Sequence, residues 1–334
     1  MAAAAAQREA SLAALLGDGG LDAAAIQALA DSLGAEHAAA APATSEAFVQ
    51  MLEGAAHSAA QRLELRRHRP QLDRRSKARR IRQLDAGDED ILYDLAKPLA
   101  ALVALGRAAE ANWLANRYLD VKPQGAAGWA LLPLYLSLRA GDAGLADAIL
   151  APTPPRLVAI GGLSGTGKST LARLLGARLG RAPGGRVLRS DVFRKRLAGV
   201  PPETRLPPAH YTRLNDQHTY EALFESADDH LACGNSVVLD AVFMSRSERD
   251  VAAAIAHRHR LPFVGIWLEA PERDRLARIA ARSGDASDAT IEVAREQGRR
   301  RIGELSGWHR IRVNRPIELI VSAARAAIDR TRLG

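Results

Sequence analysis

The stretch GGLSGTGKST, Gly161 to Thr170, decides how the second half of the chain folds. Gly162, Leu163, Ser164, Gly165, Thr166, Gly167, Lys168 and Ser169 match the pattern GxxxxGK[ST]. The run RLVAIGG before it reads as a strand, and STLARLLGARLG after it reads as a helix. Strand, glycine-rich turn and helix in that order can cradle phosphate. Glycines let backbone N–H groups wrap the anion, Lys168 reaches the β and γ phosphates, and the Ser169 hydroxyl is a Mg²⁺ ligand, with Thr170 completing the loop. The implied cofactors are ATP and Mg²⁺. A glycine-rich turn that merely precedes a helix is the competing reading.

Outward from this loop, short apolar runs alternate with helical segments: GRVLRSD then VFRKRLAG, NSVVLDA then SRSERDVAAAIAHRH, LPFVGIWLEA then PERDRLARIAAR. Such alternation predicts parallel βαβ units with helices on both faces of the sheet, and ligands at the carboxyl ends of the strands. RIRVN reads as a last strand and PIELIVSAARAAID as a closing helix.

Residues with chemical potential fall at those strand ends. Asp240 closes SVVLD, where its carboxylate would reach magnesium directly or through water; an Asp capping the next loop is the alternative. Asp191 closes VLRSD at the start of a helix. There it would accept the proton of an incoming hydroxyl, with Arg194 one turn on to hold the acceptor, or it would serve only as a helix cap. Arg275, Arg278 and Arg282 lie on PERDRLARIAAR, and Arg278 and Arg282, four apart, share a helix face. On a helix closing over the nucleotide they would neutralise developing charge; on an ordinary surface helix they would be solvated.

The chain has 334 residues, 47% apolar and 25% charged, with net charge +8. It is long enough for two domains of ordinary size. It contains no apolar run of eighteen residues and opens on MAAAAAQREASLAALLGDGG, which lacks the parts of a secretory signal, so a cytoplasmic protein with no membrane partner is expected. Cys233 is the only cysteine, which excludes an internal disulfide. From Arg62 to Arg82, ten Lys and Arg residues meet two acidic ones with no aromatic among them, so a solvated helix or linker is favoured over a nucleic-acid patch.

Residues 1–150 read as all helical. LDAAAIQALADSLGAEHAAA comes first, then a helix from Ser45 as N-cap until Pro70 interrupts it, then DEDILYDLAKPLAALVALGR, AEANWLANRYLD and GAAGWALLPLYLSLRAGD. APTPPR, 151–156, holds three prolines and reads as an extended hinge. The fold class expected is therefore α/β: a P-loop NTPase kinase domain over 157–334, behind an all-α domain over 1–150.

The nucleotide loop, Asp191, Asp240 and the arginine helix, in this order, resemble the P-loop kinases that include gluconate kinase, chloramphenicol phosphotransferase and the kinase domain of polynucleotide kinase. RSDVFRKRLAGVPPETRLPPAHYT, VVLDAVFMSRSERD and PFVGIWLEAPERDRLARIAARSGDASDA are similar to an AAA-type predicted kinase of bacteria, fused behind an aminoglycoside-phosphotransferase-like domain. The resemblance covers about 156–312. It implies that Asp191 activates the acceptor and that Arg278 and Arg282 belong to a lid. ALADSLGAEHAAAAP, DEDILYDLAKPLAALVALGR, WLANRYLD and LLPLYLSLRAG resemble pieces of the fused domain, but its catalytic stretch HGDLHxxN is absent, which implies a contracted helical remnant.

Three functions follow as expectations. The first is a Mg²⁺-ATP-dependent kinase acting on a hydroxyl of a small molecule. The second is a nucleotide-driven switch acting on a protein partner. The third is a polynucleotide 5′-hydroxyl kinase.

Overall fold

The computed structural model describes residues 23–281 and 286–331. Arg282 lies outside the described residues. The chain divides into two compact units, one comprising Met1–Thr153 with Arg181–Gly184, the other Pro154–Gly180 with Gly185–Gly334.

In the first unit the described helices are α1 (Ala23–Ala39), α2 (Glu46–Ala55), α3 (Ala59–Lys77), α4 (Ile91–Ala104), α5 (Ala108–Val121), α6 (Gly125–Arg139) and α7 (Ala143–Leu150). Between α3 and α4 runs an antiparallel hairpin of β1 (Ile81–Leu84) and β2 (Gly87–Asp90), pairing Ile81 with Asp90 and Leu84 with Gly87. An all-α reading of this half is thus corrected. The stretch GDED looks too acidic for a strand, but Arg139 reaches both Glu89 carboxylate oxygens at 2.9 and 3.0 Å, and Arg75 grips Asp90 at 2.5 and 2.6 Å. Neutralised in this way, Glu89 and Asp90 are both buried, and Asp90 also caps α4 by accepting from the Leu92 N–H at 2.8 Å.

The single helix expected from Ser45 to Pro70 is two helices. Ser45 makes no side-chain cap bond. The cap forms instead at Ser58, whose Oγ accepts from the Gln61 N–H while Gln61 Oε1 accepts from the Ser58 N–H. Nor does Pro70 end α3. It lies on the exposed face, where a freed carbonyl can bond water, while Leu65, His68, Leu72 and Arg75 hold the opposite face in the core.

The second unit is a five-stranded, wholly parallel sheet in the order β4 (Arg186–Arg189), β5 (Val237–Asp240), β3 (Leu157–Gly161), β6 (Phe263–Glu269), β7 (Trp308–Arg312). Its helices are α8 (Lys168–Gly176), α9 (Ser190–Leu197), α10 (Arg213–Ala232), α11 (Arg246–Arg258), α12 (Glu272–Ala280), α13 (Ile291–Arg299) and α14 (Ile317–Arg330). Strands β3, β4 and β5 are buried at every residue, the two arginines that bound β4 and the Asp that ends β5 included. One core packs α8 and α14 on one face of the sheet, and a second packs α10 and α11 on the other. The architecture is α/β, a parallel sheet covered by helices on both faces. Chain order zigzags about β3, so the carboxyl ends of β3, β4 and β5 open onto one crevice. No described helix is long and apolar enough to cross a membrane.

Candidate active site

The phosphate loop leaves β3 at Gly161 and enters α8 at Lys168. Gly162, Gly165 and Gly167 have φ of 143°, 84° and 91°, conformations that L side chains rarely adopt. Close approach also requires glycine at Gly162, where a Cβ would lie 2.8 Å from the Leu268 carbonyl oxygen, and at Gly165. A Cβ on Gly165 would lie 2.5 Å from the Arg275 carbonyl oxygen, whereas one on Gly167 would meet nothing within 4 Å. The loop is thus backed by protein at Gly165 and open at Gly167, beside the α8 N-terminus, which is the arrangement an anion needs.

Internal bonds preset the loop. Thr166 Oγ1 donates to the Leu163 carbonyl at 2.8 Å, and Lys168 Nζ reaches the same oxygen at 3.3 Å. From the segment beyond β6, Arg275 donates to the carbonyls of Ser164 (3.3 Å) and Ala294 (3.4 Å). The Ser164 N–H donates to Gln297 Oε1 at 3.0 Å. Arg278 donates to the carbonyls of Gly165 (3.4 Å) and Val313 (3.3 Å). Arg275 and Arg278 therefore brace the back of the loop. Thr170 is exposed on the first turn of α8, and Leu163 is half-buried.

Register brings Arg189, Asp240 and Ile160 abreast at the ends of β4, β5 and β3. Asp240 is 4% exposed, and its Oδ2 lies 3.3 Å from Arg189 Nε; Arg189 Nη2 lies 3.3 Å from Ser169 Oγ. Arg189 escaped the sequence reading. The signal was a charged residue inside the apolar run VLR, immediately before the Ser-Asp pair.

Asp191 occupies the second position of α9. Part of its surface is accessible, yet protein crowds the carboxyl, and this loss of solvation raises its pKa above the ordinary aspartate value. Arg189 and Lys168 pull it back down, Asp240 pushes it up, and a hydrogen bond to Ser287 pulls it down. Asp191 thus shares its surroundings with the phosphate-loop lysine and with Asp240, three residues that the sequence reading placed in one crevice.

Arg194 follows Asp191 by three residues on α9. It donates to Asp216 Oδ1 at 2.7 Å and to the His210 carbonyl at 3.4 Å, and its guanidinium stands 5.0 Å from the centre of the Tyr211 ring. Beside it Asp288 accepts from Lys195 Nζ, from the Tyr211 hydroxyl and from the Leu206 N–H (3.0 Å). Burial alone would raise the Asp288 carboxyl, but these donors outweigh it and hold its pKa below the usual range. Tyr211 and Asp288 were not singled out from sequence, because neither 201–212 nor the polar stretch that holds Asp288 has a periodicity to read.

The donor set fits the groups the loop implies. A hydroxyl and a carboxylate oxygen, Ser169 Oγ and Asp240 Oδ2, already share one cation in the Arg189 guanidinium, and both are hard oxygen ligands of the type magnesium takes. For nucleotide, the positive-φ glycines and the helix N-terminus would supply the phosphate cradle.

Residues 157–303 match a family described as AAA domain. The chain is 33% identical over 173 residues to an uncharacterized protein of Mycobacterium tuberculosis strain H37Rv and, to the same extent, to one of Mycobacterium bovis. Each match covers 51% of this chain and 34% of the relative, so the chain spans about a third of the length of the curated relatives it matches. Among solved structures, a gluconokinase from Sinorhizobium meliloti 1021 is 21% identical with a TM-score of 0.39, covering 54% of this chain and 94% of that one. The APS kinase of Mycobacterium tuberculosis in complex with AMPPNP and APS is 20% identical with a TM-score of 0.36, covering 53% and 98%.

Proposed function

We propose that the protein is a Mg²⁺-ATP-dependent kinase that transfers the γ-phosphoryl group to a hydroxyl of a small molecule. One observation carries this reading: the Asp191 carboxyl, raised in pKa and partly accessible, stands in the same crevice as Lys168 and Asp240. Lys168 and the loop amides hold the phosphates. Asp191 accepts the proton of the acceptor hydroxyl as its oxygen forms the new bond to phosphorus, and the bond to the β-phosphate oxygen breaks, leaving its electron pair on ADP. Ser169 and Asp240 would hold magnesium, which supplies charge neutralisation between the phosphates when bound. Arg194 and Tyr211 line the acceptor wall. Arg282 retains its proposed lid role only as a sequence expectation.

The deciding experiment measures ADP formation with Mg²⁺-ATP across sugars, aminoglycosides, nucleosides and 5′-hydroxyl oligonucleotides. Lys168→Ala is expected to lower the stimulated rate by about a hundredfold or more. Asp191→Asn is expected to abolish the acceptor-dependent rate and to spare nucleotide binding. Nucleotide binding with no acceptor turned over, and unchanged by Asp191→Asn, would replace the kinase with a nucleotide-driven switch. The oligonucleotide reading is weakened by α3, where Arg75 is committed to Asp90, Arg69 to Glu53, and Arg62 to the Ala56 and His57 carbonyls.

A further inference from the structure

Ser169 and Asp240 are the two residues proposed for magnesium, and the guanidinium of Arg189 lies 3.3 Å from an oxygen of each. Arg189 is 9% exposed and Asp240 4%, so neither charge is relieved by bulk water. The strand register explains why the contact is built in: Arg189 and Asp240 are paired neighbours on β4 and β5, and Asp191, two residues after Arg189, is the second residue of α9. Two carboxylates, Asp240 and Asp191, therefore face one crevice, where Arg189 and Lys168 offset them. Magnesium held by Ser169 and Asp240 would compete with the guanidinium for the same two oxygens.

We propose that Arg189 is a built-in counter-cation of the metal site: its guanidinium bridges Ser169 and Asp240 in the metal-free protein, and a divalent ion enters only with nucleotide, by displacing it. This rests on the reading that the loop takes a magnesium nucleotide. Arg189 is a positioning residue here, because it acts through the two oxygen ligands. Three consequences follow. The free protein has little affinity for a divalent ion. Metal-free nucleotide is tolerated, because a cation already stands beside the phosphate loop. Magnesium strengthens nucleotide binding less than it would at a site without the arginine, since it must first break the bridge.

Two measurements on the full chain test this, comparing wild type with Arg189→Met and Arg189→Lys. In the first, Mn²⁺ alone is titrated and followed by electron paramagnetic resonance. Wild type is expected to take up no Mn²⁺ at submillimolar concentration, and Arg189→Met to gain a site. In the second, the Kd of a fluorescent ATP analogue is measured in EDTA and in Mg²⁺. The ratio of the two is expected to be about tenfold larger in Arg189→Met than in wild type, with Arg189→Lys between them.

Submillimolar Mn²⁺ binding by free wild-type protein overturns the proposal, as does a Kd ratio unchanged by Arg189→Met. A purely structural arginine would lower thermal stability and leave that ratio alone. If Arg189→Met does not fold, the wild-type Mn²⁺ titration and the Arg189→Lys ratio decide. If wild type binds no nucleotide in either buffer, the kinase reading fails, while the Mn²⁺ comparison still judges Arg189.

Discussion

A carboxyl raised by burial loses its proton only at a pH above that of an ordinary aspartate, and Asp191 is such a group. In the proposed role of base it would act deprotonated. The acid limb of the kcat/KM profile is therefore expected to lie above the ordinary aspartate range, near 4, and to move when Ser287, which bonds Asp191, is replaced by Ala. A profile flat through that region with an identified acceptor would remove Asp191 from the role. Lys168, Ser169, Asp240 and Asp191, whose roles are proposals, were legible in the sequence because Lys168 and Ser169 close the GxxxxGK[ST] pattern and Asp240 and Asp191 follow apolar runs. Arg189 was not. Its place depends on the parallel register of β4 with β5, which no local pattern states.

Elements, more than single residues, hold the phosphate loop in shape. Helix α12 presses the Arg275 backbone against Gly165, and Arg275 and Gln297 bind the carbonyl and the N–H of Ser164. Gly165→Ala combines a left-handed φ of 84° with a 2.5 Å contact to backbone. It is expected to cost about 2 kcal/mol or more in thermal or urea unfolding and to weaken nucleotide binding in parallel. Arg275→Ala should weaken nucleotide affinity about tenfold while leaving the pH profile unchanged, because it frees the loop without touching the reacting groups. The alternation of strands and helices in this half was readable from apolar runs. The hairpin β1–β2 was hidden, because its acidic residues are buried by arginines far away in sequence, Arg75 and Arg139, and α3 runs through Pro70 because its other face is packed.

Each of the two units has its own apolar core, so the whole molecule is expected to melt in two calorimetric transitions, with Mg²⁺-ATP raising only one of them. His230, in the second unit, is buried, and burial lowers its pKa to about 3. The unfolded chain binds a proton there near pH 6.5 and the folded chain does not, so stability is present above pH 6.5 and is lost as pH falls toward 3. The ATP-sensitive transition should accordingly fall across that window, and His230→Leu should flatten the fall. The order of the strands has a consequence for synthesis. β3 carries the phosphate loop and leaves the ribosome first of the five, but its two hydrogen-bonding neighbours are β5 and β6, some 80 and 106 residues later by the pairing of Leu157 with Val237 and Phe263. Until they emerge, the nascent chain exposes an apolar strand with both edges unpaired. The strand that leads into the glycine-rich loop is therefore open to wrong pairings while the chain is being made.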